Sequence, residues 1–159
     1  MNSFFIIIII VCAKYLFFVS VIIASLYFLA STKSNKKKMF YIGLISGIIS
    51  LVLLKISAMI FNDPRPFVVD HIVPLIPHAA DNGFPSDHTL LTMWLAVVLF
   101  LFDKRLGMLL VLISLIVGIT RVLTLIHHPI DILGSIGIAI VSVVVTKVIF
   151  NKAHKTVHR

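Results

Sequence analysis

Residues 106–150 read LGMLLVLISLIVGITRVLTLIHHPIDILGSIGIAIVSVVVTKVIF, two apolar stretches that meet at a short polar turn. Each stretch is close to the ~20 residues that cross a bilayer as a helix. The chain places Arg121, His127, His128 and Asp131 where the two stretches meet. Because such side chains are costly in lipid, they mark functional sites in membrane proteins. We therefore expect two membrane helices whose ends hold a polar site.

The rest of the chain is similarly apolar. Hydrophobic residues make up 60% of the 159 residues and the mean hydropathy is +1.13, whereas soluble domains contain about 45–50% apolar residues. Lys and Arg number 14 against 6 acidic residues, which gives a net charge of +8. In a membrane protein this excess reflects topology and contact with anionic lipid rather than with nucleic acid. We expect one all-α domain over residues 1–159, a polytopic transmembrane helix bundle.

Five segments are apolar and long enough to be spans: residues 4–30, 39–61, 86–102, 106–126 and 130–150. The first is expected to be retained, because a signal peptide would have a basic start and no Lys14 within its apolar run. With five spans, ten of the 14 cations share one side: Lys33, Lys36, Lys37, Lys38, Lys104, Arg105, Lys147, Lys152, Lys155 and Arg159. The positive-inside rule makes that side cytoplasmic and puts the His127 turn on the outer face of a plasma membrane.

A second polar set lies in the long loop at residues 62–85 and at the start of the third span. Arg65 and Arg121 fall at the outer ends of two spans, so both reach one pocket, where an arginine's planar fork suits phosphate oxygens. The alternative is that each arginine anchors a helix end at the lipid headgroups. Ser86 is expected to cap the third span, whose free N–H groups attract phosphate, with His88 in its first turn.

The turn before the last span offers a histidine–carboxylate pair. Pro129 suits the first turn of a helix, and a helix that begins there brings Asp131 close to both His127 and His128. A carboxylate behind a histidine fixes its tautomer and stabilises the charged ring. The spacing does not choose between His127 and His128, and a purely structural pair is the alternative.

Metal binding is the rival use of the histidines. His154 and His158 have the His-x-x-x-His spacing of a helical zinc site, but Lys155 lies between them and no Cys or Glu completes the set. His71 and His78 are expected to be loop residues. We expect neither a metal nor a cofactor.

Three ordered motifs resemble the signatures of the type 2 phosphatidic acid phosphatase superfamily. They are Arg65-Pro66, Pro85-Ser86-Asp87-His88 and Thr120-Arg121-x5-His127-x3-Asp131. The stretch over residues 64–89 is similar to the bacitracin-resistance branch of bacterial undecaprenyl-diphosphate phosphatases. The resemblance covers residues 15–145 and implies the same polytopic helix bundle.

The resemblance also implies a reaction and a role for each site residue. His127 would be the nucleophile that becomes a phosphohistidine, Asp131 would orient it, and His88 would protonate the leaving phosphate and then activate water. The phosphoryl oxygens would be bound by Arg65, Arg121 and Ser86. The implied reaction is metal-independent hydrolysis of undecaprenyl diphosphate to the monophosphate, which recycles the carrier lipid of the cell wall and confers bacitracin resistance.

The chain departs from the family pattern at one position. The first signature usually has a lysine seven residues before the arginine, where this chain has Ala58. Lys55, about one helical turn deeper, and Lys14 in the first span are the candidate substitutes for binding substrate.

Two other functions are open to the sequence. One is a phosphatase for phosphatidic acid or phosphatidylglycerol phosphate, and the other is a lipid-binding or transport protein without catalysis. The complete set of His88, Arg121, His127 and Asp131 argues against the second.

Overall fold

The structure is a computed structural model that describes residues 2–157, with side chains described up to residue 152. Six helices make up the described chain: α1 (Ser3–Ala30), α2 (Lys33–Ile60), α3 (Pro66–Val69), α4 (Asp87–Phe100), α5 (Lys104–Leu123) and α6 (Pro129–Val157). The β pairing between residues 2 and 157 is a single bridge that joins Pro64 to Asn82. The predicted all-α class is confirmed. The zinc-like spacing of His154 and His158 lies outside the described side chains.

Four helices are long and apolar enough to cross a membrane: α1, α2, α5 and the Pro129–Lys152 part of α6. Their large apolar side chains, such as Leu29, Leu51 and Leu133, are exposed on the outside of the bundle, as lipid contact requires. The helices therefore form the multi-pass arrangement that the hydropathy pattern predicts.

The predicted span at residues 86–102 is shorter than a bilayer. Its helix, α4, has 14 residues and is about 21 Å long at 1.5 Å per residue, whereas the hydrocarbon core is ~30 Å thick. Half of its residues are buried, because α4 contacts α1, α2, α5 and α6. It begins inside the polar site rather than at the surface of the bundle.

The second span also differs from the prediction, because α2 begins at Lys33 rather than near residue 39. Thr32 caps it: the Thr32 hydroxyl accepts a hydrogen bond from the Asn35 N–H at 3.4 Å. Lysine is a good helix former, so the basic run extends the helix beyond its apolar part. Hydropathy predicts which segment lies in lipid, but it does not predict where the helix begins.

The core lies around α4 and α5. Leu99, Leu110, Val117 and Ala139 are buried there with at most 1% of their surface exposed. Small residues let the helices approach closely, as membrane bundles require. The faces of Gly43 and Gly47 in α2 lie against the ring of Trp94 in α4.

Buried hydroxyl groups join the helices across this core. Thr92 of α4 donates to Ser114 of α5 at 2.9 Å, and Ser50 of α2 pairs with Ser142 of α6 at 2.6 Å. Each of these hydrogen bonds satisfies polar groups that lipid cannot satisfy. The helices around the site are therefore fixed in position by polar pairs as well as by packing.

Gly107 and Gly137 form a matched test of this packing. A Cβ at residue 107 would lie 2.4 Å from the Cα of Phe100, whereas a Cβ at residue 137 would have nothing within 4 Å. We expect Gly107→Ala to destabilise the protein by about 1–3 kcal/mol, because α4 and α5 must separate. Gly137→Ala should stabilise it by up to about 1 kcal/mol through helix propensity. Thermal unfolding in detergent measures both, and equal Tm values would contradict the close α4–α5 approach.

Candidate active site

The site lies where α4 and α6 begin, where α5 ends, and where the loop after α2 folds over them. His127, Asp131, Arg65 and Arg121 come together here, and each is at most 5% exposed. Arg121 is in the last turn of α5, Asp131 is in the first turn of α6, and His127 lies between these helices. Four polar side chains that the sequence placed in three separate segments thus form one buried cluster.

His127 is held between a carboxylate and two arginines. Its Nδ1 is 3.1 Å from Asp131 Oδ2, and its Nε2 is 3.4 Å from both Arg65 Nη1 and Arg121 Nη2. A carboxylate can only accept and a guanidinium can only donate. The contacts therefore assign the proton to Nδ1 and a lone pair to Nε2, which faces the two arginines.

The protonation of His127 fits this tautomer. Burial lowers the pKa of His127 below its ordinary value, the hydrogen bond to Asp131 opposes that shift, and the charges of Arg121 and Arg65 lower the pKa further. The ring is therefore neutral at pH 7, and its Nε2 lone pair is free to attack an electrophile.

The structure answers which histidine pairs with Asp131. The His128 ring pairs with Asp63 instead, and its Nδ1 lies 2.9 Å from Asp63 Oδ2. Only its backbone N–H donates to Asp131 Oδ2, at 2.9 Å. Asp131 is close to both histidines, as the spacing predicts, but its ring partner is His127.

Arg65 is held by acceptors on three sides. Its Nε donates to Asp81 Oδ1 at 2.8 Å, its Nη1 donates to the Ile126 carbonyl at 2.7 Å, and its Nη2 donates to the Asn82 carbonyl at 3.4 Å. The hydrogen bond from Arg65 lowers the pKa of Asp81, and exposure of the Asp81 side chain to water also favours the charged carboxylate. The guanidinium is thereby fixed in one orientation beside His127.

Arg121 has fewer partners than Arg65. Its Nε is buried without a hydrogen-bond partner in the described part of the chain, and its Nη2 faces His127. A buried cation with an unpaired N–H is destabilising unless an anion completes the set. The arrangement suits an anion with several oxygens at the point between the two arginines.

Ser86 precedes α4, but its side chain does not make the predicted cap. The Ser86 hydroxyl instead accepts a hydrogen bond from Thr89 Oγ1 at 3.2 Å, and its carbonyl accepts one from Ser135 Oγ at 2.9 Å. Ser86 occupies the predicted N-cap position, but the side-chain hydrogen bond of the cap is absent because Thr89 competes with the backbone for this oxygen. The first N–H groups of α4 are left without a side-chain cap, and such a helix end attracts anions.

His88, in the first turn of α4, faces the same region. Its ring packs edge-on against Phe17 of α1, with ring centroids 4.7 Å apart. The positive charge of Arg121 acts on it. Phe17 was not expected from the sequence, because an aromatic residue within an apolar span carries no signal of a site.

The two lysines are not brought into contact with this cluster. Lys55 lies exposed on α2 and Lys14 lies half-buried on α1, and neither makes a hydrogen bond or ion pair with another described residue. Lys14 is one helical turn from Phe17, which contacts His88. A substrate-binding role for either lysine stays a prediction.

Asn82 is a further residue that the sequence reasoning missed. Its Oδ1 accepts from the N–H groups of Asp63 at 2.9 Å and Phe84 at 3.0 Å. Its Nδ2 donates to the carbonyls of Ala58 and Phe61, both at 3.0 Å. Asn82 thereby ties the end of α2 to both strands of the loop and places Arg65. A single asparagine in a polar loop gives no sign of this.

Comparison with known proteins agrees with the resemblance of the motifs. The sequence model of the PAP2 superfamily matches residues 36–155. The chain is 36% identical to "Undecaprenyl-diphosphatase BcrC" of Bacillus subtilis over 114 residues, which cover 72% of this chain and 58% of that protein. It is 31% identical to "Putative undecaprenyl-diphosphatase YbjG" of Escherichia coli over 114 residues, with 70% and 57% covered. The chain thus spans less than three fifths of the length of these relatives.

Solved structures show the same fold. The crystal structure of Aquifex aeolicus LpxE matches with a TM-score of 0.74 at 21% identity, over 92% of this chain and 87% of that one. A PAP2-type phosphatidylglycerolphosphate phosphatase from Bacillus subtilis matches with a TM-score of 0.64 at 20% identity, over 96% and 79%. With the three signature motifs gathered at one buried site and most of the chain matched, the protein belongs to the PAP2 superfamily.

Proposed function

We propose that this protein is a membrane lipid pyrophosphatase that hydrolyses undecaprenyl diphosphate to undecaprenyl phosphate and phosphate. The observation that carries the proposal is the position of His127: its free Nε2 lies 3.4 Å from two guanidinium groups while Asp131 holds its Nδ1. A nucleophile between two anchored cations suits a phosphoryl group. The choice of lipid is supported by the names of the two relatives at 36% and 31% identity.

In the first step, His127 Nε2 attacks the terminal phosphorus. The new Nε2–P bond forms as the bond from phosphorus to the bridging oxygen breaks, and His88 gives a proton to that oxygen as undecaprenyl phosphate leaves. The ring now carries a positive charge, which the Asp131 carboxylate stabilises through Nδ1–H. Arg65 and Arg121 stabilise the charge on the phosphoryl oxygens.

In the second step, water takes the place of the lipid. His88 accepts a proton from a water molecule, whose oxygen attacks the phosphorus as the Nε2–P bond breaks. Phosphate leaves and His127 returns to its neutral state. The Ser86 hydroxyl accepts from Thr89, so its own proton is free to donate to a phosphoryl oxygen in both steps.

The proposed location is the outer face of a bacterial plasma membrane. Its support is the charge distribution, because the cations outside the site fall mainly on the other side of a five-span arrangement. Undecaprenyl diphosphate is released on that face by cell-wall synthesis, so hydrolysis there recycles the carrier lipid. The same reaction would confer bacitracin resistance, as the family resemblance implies.

The test is phosphate release by detergent-purified protein from undecaprenyl diphosphate, phosphatidic acid and phosphatidylglycerol phosphate, each with and without EDTA. We expect turnover of undecaprenyl diphosphate that EDTA does not change, at least ~10-fold above the other lipids in kcat/KM, which is a difference of about 1.4 kcal/mol. Faster turnover of phosphatidic acid would keep the site and overturn the substrate. Loss of activity in EDTA would overturn the metal-free mechanism, and no turnover of any lipid would favour a binding or transport protein.

A further inference from the structure

A second carboxyl group lies behind the carboxylate that orients His127. One oxygen of Asp63, one oxygen of Asp131 and one ring nitrogen of His128 all lie within 4.8 Å of one another. Asp63 Oδ2 pairs with His128 Nδ1 at 2.9 Å. The charge of Asp131 also acts on Asp63. The proposed mechanism uses Asp131 and leaves Asp63 without a role.

The backbone holds the two carboxyl groups together. The Asp63 N–H donates to Asn82 Oδ1 at 2.9 Å, and the Asp63 carbonyl accepts from the Gly83 N–H at 2.8 Å. Gly83 lies directly over the pair, because a Cβ there would be 2.9 Å from Asp131 Oδ2. The close approach of Asp63 to Asp131 is therefore built into the loop.

Two carboxylates this close cannot both be charged without a large cost. Asp131 Oδ2 already accepts hydrogen bonds from the His127 ring and the His128 N–H. Burial raises the pKa of Asp63 and the charge of Asp131 raises it further, while His128 lowers it. Asp131 Oδ1 is buried with no donor among the described residues. A proton on Asp63 would supply that donor.

We propose that Asp63 is a positioning residue that carries a proton and donates it to Asp131, so that the carboxylate is fixed from the side opposite His127. Asp63 touches neither the substrate nor the nucleophile; it acts through Asp131. The effect on catalysis rests on the proposed function, because it requires His127 to be the nucleophile.

The same three side chains are also of the types that bind a divalent cation. The nearby positive charges argue against a bound cation, because Arg65 and Arg121 both reach the His127 ring that Asp131 orients. His128 Nδ1 and Asp131 Oδ2 are, in addition, already engaged in hydrogen bonds. We therefore favour the shared proton and treat the cation as an outcome of the test.

The kinetic test compares Asp63→Asn with Asp63→Ala, because asparagine keeps a donor in the place of the acid proton and alanine does not. We expect D63N to keep kcat within about threefold, and D63A to lose kcat about 10-fold at unchanged KM, as loss of an outer hydrogen-bond partner does. Asp70→Asn, at an exposed loop position, is the matched control and should behave as wild type. Thermal unfolding of each variant separates loss of folding from loss of positioning.

Three results would overturn the proposal. D63A as active as wild type would show that Asp63 positions nothing. D63N as impaired as D63A would show that a charged carboxylate is required, and loss of activity in EDTA would then identify a cation as its partner. A protonated Asp63 should give a protonated-carboxyl band in the infrared spectrum at neutral pH, which D63N removes and D70N keeps. Absence of such a band would exclude the shared proton. The spectrum does not depend on turnover, so it decides the state of Asp63 even if wild type hydrolyses no lipid and the proposed function fails.

Discussion

Replacement of His127 by alanine is expected to lower phosphate release on the order of 10⁴-fold or more, because the variant loses the atom that accepts the phosphoryl group in the proposed mechanism. The fold should persist, because the His127 ring is not part of the hydrophobic core around α4 and α5. Initial rates of phosphate release from undecaprenyl diphosphate measure the loss. His71→Asn is the matched control: His71 is exposed, and its φ of 53° is one that asparagine tolerates.

A phosphoenzyme experiment tests the role of His127 more directly than a rate. Substrate labelled at the terminal phosphorus should label the wild-type protein during turnover. A phosphohistidine bond is stable in alkali and labile in acid, so the label should survive only the alkaline quench. The H71N protein should be labelled as well as wild type and H127A should not. Equal labelling of H127A, or a label stable in acid, would contradict the proposed intermediate.

Arg121→Met is expected to affect activity and stability in opposite directions. Loss of one preorganised cation beside the phosphoryl group should lower kcat/KM by about 10²–10³-fold. The same change removes a buried charge whose Nε has no partner in residues 2–157 and which lies beside Arg65 at the His127 ring. We therefore expect the Tm to rise by about 2–4 °C, which corresponds to roughly 1 kcal/mol at this size.

Arg105→Gln provides the control for Arg121→Met. Arg105 is exposed in the first turn of α5, at the other end of that helix from Arg121, so its loss should change neither rate nor Tm. Thermal unfolding and kcat/KM are measured on the same preparations. A fall in Tm for R121M together with its fall in activity would show that Arg121 is a structural anchor, which is the alternative that the sequence left open.

The membrane helices could be predicted because lipid imposes a simple rule on them. The lengths of the apolar segments predict the positions of α1, α2, α5 and α6. The same rule failed at Lys33, where the helix continues into water on a basic run, because hydropathy says nothing about helix ends outside lipid. It also counted residues 86–102 as a full span, whereas α4 begins where predicted but has only 14 residues.

The sequence predicts which residues gather at the candidate site, but not which of them contact one another. The motif spacing identifies His127, Asp131, Arg65 and Arg121, and the structure gathers these residues. The spacing could not identify which histidine ring pairs with Asp131. That choice depends on Asp63, which lies 65 residues from His128 and pairs with the His128 ring. The role of Asn82 could not be predicted for a similar reason, because three of its four partners lie 19 to 24 residues earlier in the chain.

The shortness of α4 sets the depth of the candidate active site relative to the longer helices. The helix falls roughly 9 Å short of the ~30 Å hydrocarbon core. Phe17, which packs against His88 at its start, lies at the middle of α1, so half of α1 continues past that level. In the proposed mechanism, the reacting phosphorus would meet His127 at that level, and the lipid would keep its tail in the leaflet while it reacts.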